Sequence, residues 1–222
     1  MELPKNPREL AQWMDLTLLK ADVVRGDVER YCTVARELKL HGICVQGSRV
    51  VLAKAILEET DVKVITVAGF PMGAADTDAK RFETEVAVDN GAQEIELVAN
   101  LGWLKDGEDT RILRELRDVI EAADERPVGV MMEASLLSAE EKTRLCQIAV
   151  EAGAKSIVTS TGFLSPEAVS AEDIRLIRKA VGEKFGIKAA GKMPDSQTAM
   201  ALIEAGATRL AMAEPVALLG GQ

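Results

Sequence analysis

Gly186-Ile187-Lys188-Ala189-Ala190-Gly191-Lys192 reads as a short buried strand with a lysine in its middle. Side chains alternate between the two faces of a strand, so Lys188, Ala190 and Lys192 share one face, with Lys192 at or just past the strand end. An amine among apolar neighbours is costly unless it is paired or used. Lys188 is therefore either a chemical group or a strand-end lysine whose amine reaches solvent. The two lysines are about 13 Å apart in an extended chain, so direct coupling between them requires a bend at Gly191.

Seven further stretches resemble this one: Met14–Leu19 (carrying Asp15), Gly42–Val45, Val62–Val67, Glu94–Ala99, Val128–Met132, Ser156–Thr161 and Thr208–Ala213. Helical patterns separate them. Asp27–Leu38 places Val28, Tyr31, Val34, Ala35 and Leu38 on one side, Ser48 is read as a cap for a helix running to Glu58, and Asp76–Asn90 closes at Gly91. Asp109–Ala123 follows, then a helix opened by the capping box Ser138/Glu141 and ending at Ala152, then Ala171–Val181 and Asp195–Ala205. Eight alternating β and α units predict a single (β/α)8 TIM barrel over residues 1–222, preceded by a short helix at Pro4–Gln12. The alternative, an open doubly wound sheet, lacks its Gly-x-Gly-x-x-Gly turn after the first strand. Gly91-Ala92, Gly153-Ala154 and Gly206-Ala207 each precede a strand, which predicts one helix-to-strand turn used three times.

The 222 residues are 47% hydrophobic, enough for one sizeable core, and carry a net charge of −9. That balance argues against a nucleic-acid partner, which needs a basic stripe. No run of 18 apolar residues predicts a membrane span, and the start lacks the order of a signal peptide. Cys32, Cys44 and Cys146 are odd in number and widely spaced, giving neither a zinc pattern nor a disulfide framework. A reduced, cytoplasmic protein is expected.

Active sites of such barrels lie at the carboxyl ends of the strands. The polar residues expected there are Asp15, Thr17, Cys44, the Gly69–Gly73 loop, Glu96, Asn100, Glu133, Ser160, Thr161, Lys188, Lys192 and Glu214. His41, the one histidine, precedes its strand and belongs at the opposite face, so a Ser-His or Cys-His nucleophile is not expected. The spacing supports no metal site, and no cofactor is implied. A lysine among carboxylates suits Schiff-base chemistry, in which an amine condenses with a carbonyl and a carboxylate carries the proton.

Met14-Asp15-Leu16-Thr17-Leu18-Leu19-Lys20, Ile43-Cys44-Val45, Thr66–Gly73, Gly91–Asn100, Thr159-Ser160-Thr161-Gly162-Phe163 and Gly186–Gly191 together resemble the deoxyribose-phosphate aldolase family over nearly the whole chain. The resemblance implies a metal-free class I aldolase that joins acetaldehyde to glyceraldehyde 3-phosphate and reverses that step. It also implies a proton-relay role at Glu96 and, for Lys188, the place of the family's second lysine, which perturbs the pKa of the first. Asp15 is a further candidate proton carrier, and Thr17, Cys44, Thr161, Gly162, Gly191 and Lys192 are candidate substrate contacts. Family members are often dimers, which points to a homodimer. The departures are specific. Val158 stands where the family's imine-forming lysine precedes Thr-Ser-Thr-Gly, Glu96 stands for an aspartate, and Gly129 stands for a further lysine usual on the strand before Glu133. Lys192 replaces a phosphate-binding glycine, while Glu214 and Pro215 replace small residues after the last strand.

Three functions are compatible with these residues. One is an aldolase with a relocated amine, Lys188 ahead of Lys192, using Glu96 and Asp15 as proton carriers on small aldehydes or sugar-like substrates with weakened phosphate recognition. Another is an inactive or engineered member acting as a binding or scaffold protein, favoured by Val158. The third is a lyase or isomerase that uses Glu96 and Glu133.

Overall fold

Eight short, largely apolar strands pair with their neighbours along the chain, and the first pairs with the last. The computed structural model describes residues 3–4, 6–164 and 169–213. The strands are β1 Met14–Leu18, β2 Gly42–Val45, β3 Lys63–Ala68, β4 Glu94–Val98, β5 Val128–Met131, β6 Ser156–Val158, β7 Gly186–Ala190 and β8 Arg209–Met212. Helices alternate with them: α1 Pro7–Ala11, α2 Arg25–Glu37, α3 Val50–Leu57, α4 Thr77–Asp89, α5 Leu101–Lys105, α6 Asp109–Ala122, α7 Ala139–Ala152, α8 Ala171–Val181 and α9 Ser196–Glu204. All neighbouring strands pair in parallel, and β1 pairs with β8, so the sheet closes in the order β1 to β8. This is the expected (β/α)8 barrel with its short leading helix.

Two apolar cores follow from strand alternation. Outward-facing residues such as Leu16, Ile43, Val64, Leu97, Val130, Ile157, Ile187 and Leu210 pack against the helices. Inward-facing Cys44, Ile65, Val67, Val98, Met131, Val158, Ala190 and Ala211 form a smaller cluster inside the barrel, and Phe70 packs on it.

Local chemistry sets the turns. The three Gly-Ala pairs do make one turn: the glycines have φ of 98°, 91° and 117°. Ala92, Ala154 and Ala207 then donate N–H to the carbonyls of Ala87, Ala149 and Leu202, five residues back, the mark of a Schellman ending. The Ser138 capping box is present, with both bonds made to Glu141. Three local details differ from expectation. Ser48 does not cap a helix; it lies in a 3-10 turn, Gly47–Arg49, that feeds α3 directly. α5 was not anticipated; Asn100 caps it by accepting the Trp103 N–H at 3.2 Å, and five residues are too few to show a period. β6 stops at Val158, short of Thr161, because Glu133 bonds Ser160 and Thr161 outside the ladder.

Candidate active site

Strand alternation turns Asp15, Glu94, Glu96, Lys188 and Arg209 toward the barrel axis, beneath the inner apolar cluster. Charges so placed must compensate one another. Lys188 is 4% exposed. Its amine lies 2.5 Å from Asp15 Oδ2 and also contacts Glu96 Oε1 as a donor. Arg209 Nη1 approaches the same Asp15 oxygen at 3.6 Å and Glu94 Oε2 at 3.3 Å. Glu94 Oε1 meets His41 Nε2 at 2.9 Å. Cys44 Sγ lies 3.8 Å from Glu96 Oε2. A chain of alternating charge therefore runs inside the barrel from Glu94 through Arg209 and Asp15 to Lys188 and Glu96, with His41 bonded to its Glu94 end.

The protonation states follow from this geometry. Burial alone would push the Lys188 amine down, but Asp15, Glu96 and Glu94 outweigh it and hold the amine above the ordinary lysine value. Burial pushes Glu96 up, and the Lys188 charge only partly reverses that. Burial also acts on Glu94, but the hydrogen bond to His41 and the charges of Lys188 and Arg209 win, bringing it down to about 2. Burial, then Glu96, raises the Cys44 thiol well above its usual value, so it stays neutral. Asp15 is unusual in another respect: among the described residues neither of its carboxylate oxygens has a hydrogen-bond partner. Its tie to Lys188 is one of charge proximity, which leaves Oδ1 as an open acceptor in a buried site.

Of the residues singled out from the sequence, the structure gathers Lys188, Asp15, Glu96 and Cys44. Thr17 shares the inward face of β1 with Asp15 and is half-buried. Thr161 and Gly162 belong to a second set. Glu133, fully buried at φ 45°, accepts from Ser160 Oγ at 2.8 Å, Thr161 N at 2.9 Å and Thr161 Oγ1 at 2.5 Å. Its carboxylate is engaged in shaping the loop after β6, and it makes no salt bridge among the described residues. Gly162 N then donates to Ser160 Oγ at 2.9 Å. Gly191 ends β7 at φ 144°, and Lys192 beyond it is exposed, outside the buried set. Val158 is fully buried and pairs in register with Lys188. Glu214 and Pro215 lie outside the described residues.

Glu94, Arg209 and His41 were not anticipated as a site layer. The signal was present: Glu94 is two residues before Glu96 on one strand, so both must face the axis. His41 does lie at the end opposite the strand termini, as its place before β2 implies. Among the described residues no helix is long and apolar enough to cross a membrane, and no group of three or more His, Cys, Asp or Glu is placed to hold a metal ion.

A parallel barrel with a buried lysine between two carboxylates is a frame for amine–carbonyl chemistry. No family model matches the chain. It is 45% identical to the deoxyribose-phosphate aldolase of Alkaliphilus oremlandii, covering 96% of both chains, and 44% identical to that of a Geobacillus species over the same shares. A solved structure described as QR15, an aldolase, superposes with a TM-score of 0.90 at 32% identity, covering 95% of this chain and 94% of that one. The chain belongs to the deoxyribose-phosphate aldolase family.

Proposed function

We propose that the chain is a class I, aldolase-type lyase that uses Lys188 as its amine and acts on small aldehydes without requiring a phosphate. The observation that carries this is the buried Lys188 amine held between Asp15 and Glu96. The Lys188 ammonium first passes a proton to Glu96, the carboxylate that burial makes the readier base. The neutral amine then adds to the aldehyde carbon, forming the C–N bond, and the carbonyl oxygen takes the proton from Glu96. Glu96 next removes a proton from nitrogen and returns it to the departing hydroxyl, which leaves as water. The iminium that remains carries one positive charge beside Asp15, as the ammonium did. Glu96 then takes a proton from the carbon next to the iminium, and the resulting enamine attacks a second aldehyde, whose oxygen takes that proton back from Glu96. Water hydrolyses the product iminium to release the hydroxyaldehyde and return the Lys188 amine. Asp15 Oδ1 is free to accept from a substrate hydroxyl.

Weakened phosphate recognition is supported by the sequence: Lys192 for a small residue, and Glu214 with Pro215 after the last strand. A second reading, a binding or scaffold protein without covalent chemistry, is favoured by one observation. Val158, which cannot form an imine, fills the position where the resemblance places the family's reactive lysine.

Borohydride trapping with acetaldehyde, followed by peptide mass spectrometry on the parent and on Lys188→Ala, tests the proposal. The expected result is a two-carbon adduct on Lys188 that is absent in the variant. Because the proton of the Lys188 ammonium passes to Glu96 inside the site, Glu96→Gln should slow trapping by about a hundredfold. An adduct on Lys192 would move the amine and keep the reaction class. No site-specific adduct and no aldol turnover would leave the binding reading.

A further inference from the structure

Lys80 on α4 and Glu115 on α6 are both fully buried, yet neither faces the barrel interior. Lys80 Nζ donates to Glu115 Oε1 at 2.9 Å and to the carbonyl of Val98, the last residue of β4, at 3.0 Å. Glu115 also accepts from Thr77 Oγ1 at 3.4 Å and from the backbone N–H of Asn100. The pair therefore grips the last residue of β4 and the Asn100 cap beyond it, two and four residues past Glu96.

The same lysine supports the loop after β3. Gly69, at φ 66°, lies on the Lys80 methylenes so closely that a Cβ there would come within 2.8 Å of Cε. Gly69 N donates to Glu83 Oε2 at 2.8 Å, one helical turn along α4. Phe70 follows, packed on the inner apolar cluster and edge-on to Phe163 at 5.1 Å between ring centroids.

A buried ion pair is a poor way to gain stability, since apolar side chains of the same volume commonly do as well or better. What it supplies here is direction. The Val98 carbonyl, the Thr77 hydroxyl and the Asn100 N–H converge on the Lys80 amine and the Glu115 carboxylate just past the end of β4. Burial disfavours the charge on each partner, and each raises or lowers the other back toward the charged form.

We infer that Lys80 and Glu115 are positioning residues: their buried pair sets Glu96 against Lys188 and holds Phe70 over the barrel mouth. The role at Lys188 rests on the function proposed above, but its test does not depend on turnover. The test uses the double variant Lys80→Met/Glu115→Leu, which removes both charges and retains volume. The expected result is an unchanged or higher Tm, with a fall of at least one pH unit in the ammonium-to-amine midpoint of Lys188. That midpoint is followed by the chemical shift of its ¹³C-labelled ε-carbon. If the parent gives an acetaldehyde adduct, the trapping rate should also change at least tenfold. A folded double variant with the parental Lys188 midpoint would overturn the inference. Should the double variant fail to fold, Glu115→Gln carries the same measurement with the same two outcomes. A parent that never forms an adduct would sink the proposed function alone, because the midpoint still decides the positioning role.

Discussion

Glu94 illustrates how one inward-facing residue ties stability to pH. Its carboxyl is held at about 2, against an ordinary value of 4.5, by His41, Lys188 and Arg209 acting against burial. A depressed acid stabilises the fold above its unfolded value, and that stabilisation disappears as pH falls through the folded one. At about 1.4 kcal/mol per pKa unit, the contribution is about 3 kcal/mol, lost between pH 4.5 and pH 2. Urea unfolding of the parent should therefore weaken steeply across that window. In Glu94→Gln the loss should be visibly shallower, and equal slopes for the two proteins would mean that Glu94 carries no such stabilisation. At this scale the sequence was partly legible. Lys188, Asp15 and Glu96 are readable because a charge inside an apolar strand needs a reason. Glu94 and Arg209 escaped a reading that looked only at strand carboxyl ends, although their parity with Glu96 and Ala211 already turned them inward.

At the level of elements, the loop from Gly69 to Gly73 shows backbone demands that few side chains satisfy. Gly73 has φ 68°, and a Cβ there would stand 2.2 Å from the Ala99 carbonyl oxygen. That obstacle is backbone, so it cannot swing aside. Gly73→Ala should cost at least about 2 kcal/mol, from the left-handed conformation and the forced displacement of the Ala99 backbone just after β4 together. Chemical denaturation should register this, and a loss below about 0.5 kcal/mol would show that the loop rearranges freely. Helices with strong punctuation were legible from sequence: Asp76, Ser138, Ser170 and Asp195 each cap a helix through a side-chain oxygen. α5 and the 3-10 turns were not, because three to five residues carry neither a period nor a full set of caps.

For the whole molecule, alternation of strand and helix was enough to give the architecture, since eight βα units close a barrel. What alternation does not specify is stagger, which decides the inward residues that share a level. The meeting of Lys188 with Asp15, six strands earlier in the chain, depends on that stagger and on closure. We also propose that residues 1–222 form one cooperative unit. Calorimetry should then show a single transition with an enthalpy of about 150 kcal/mol, and two resolved transitions would contradict it.

The β1–β8 seam has a further consequence. Every strand in the ring has both flanks hydrogen-bonded to a neighbour. An incoming extended peptide, or a second copy of the chain, therefore meets no unpaired strand edge in the barrel on which to add. Among the described residues, self-association through the barrel wall by strand templating is closed off, which leaves helix faces and loops as the surfaces for assembly of copies.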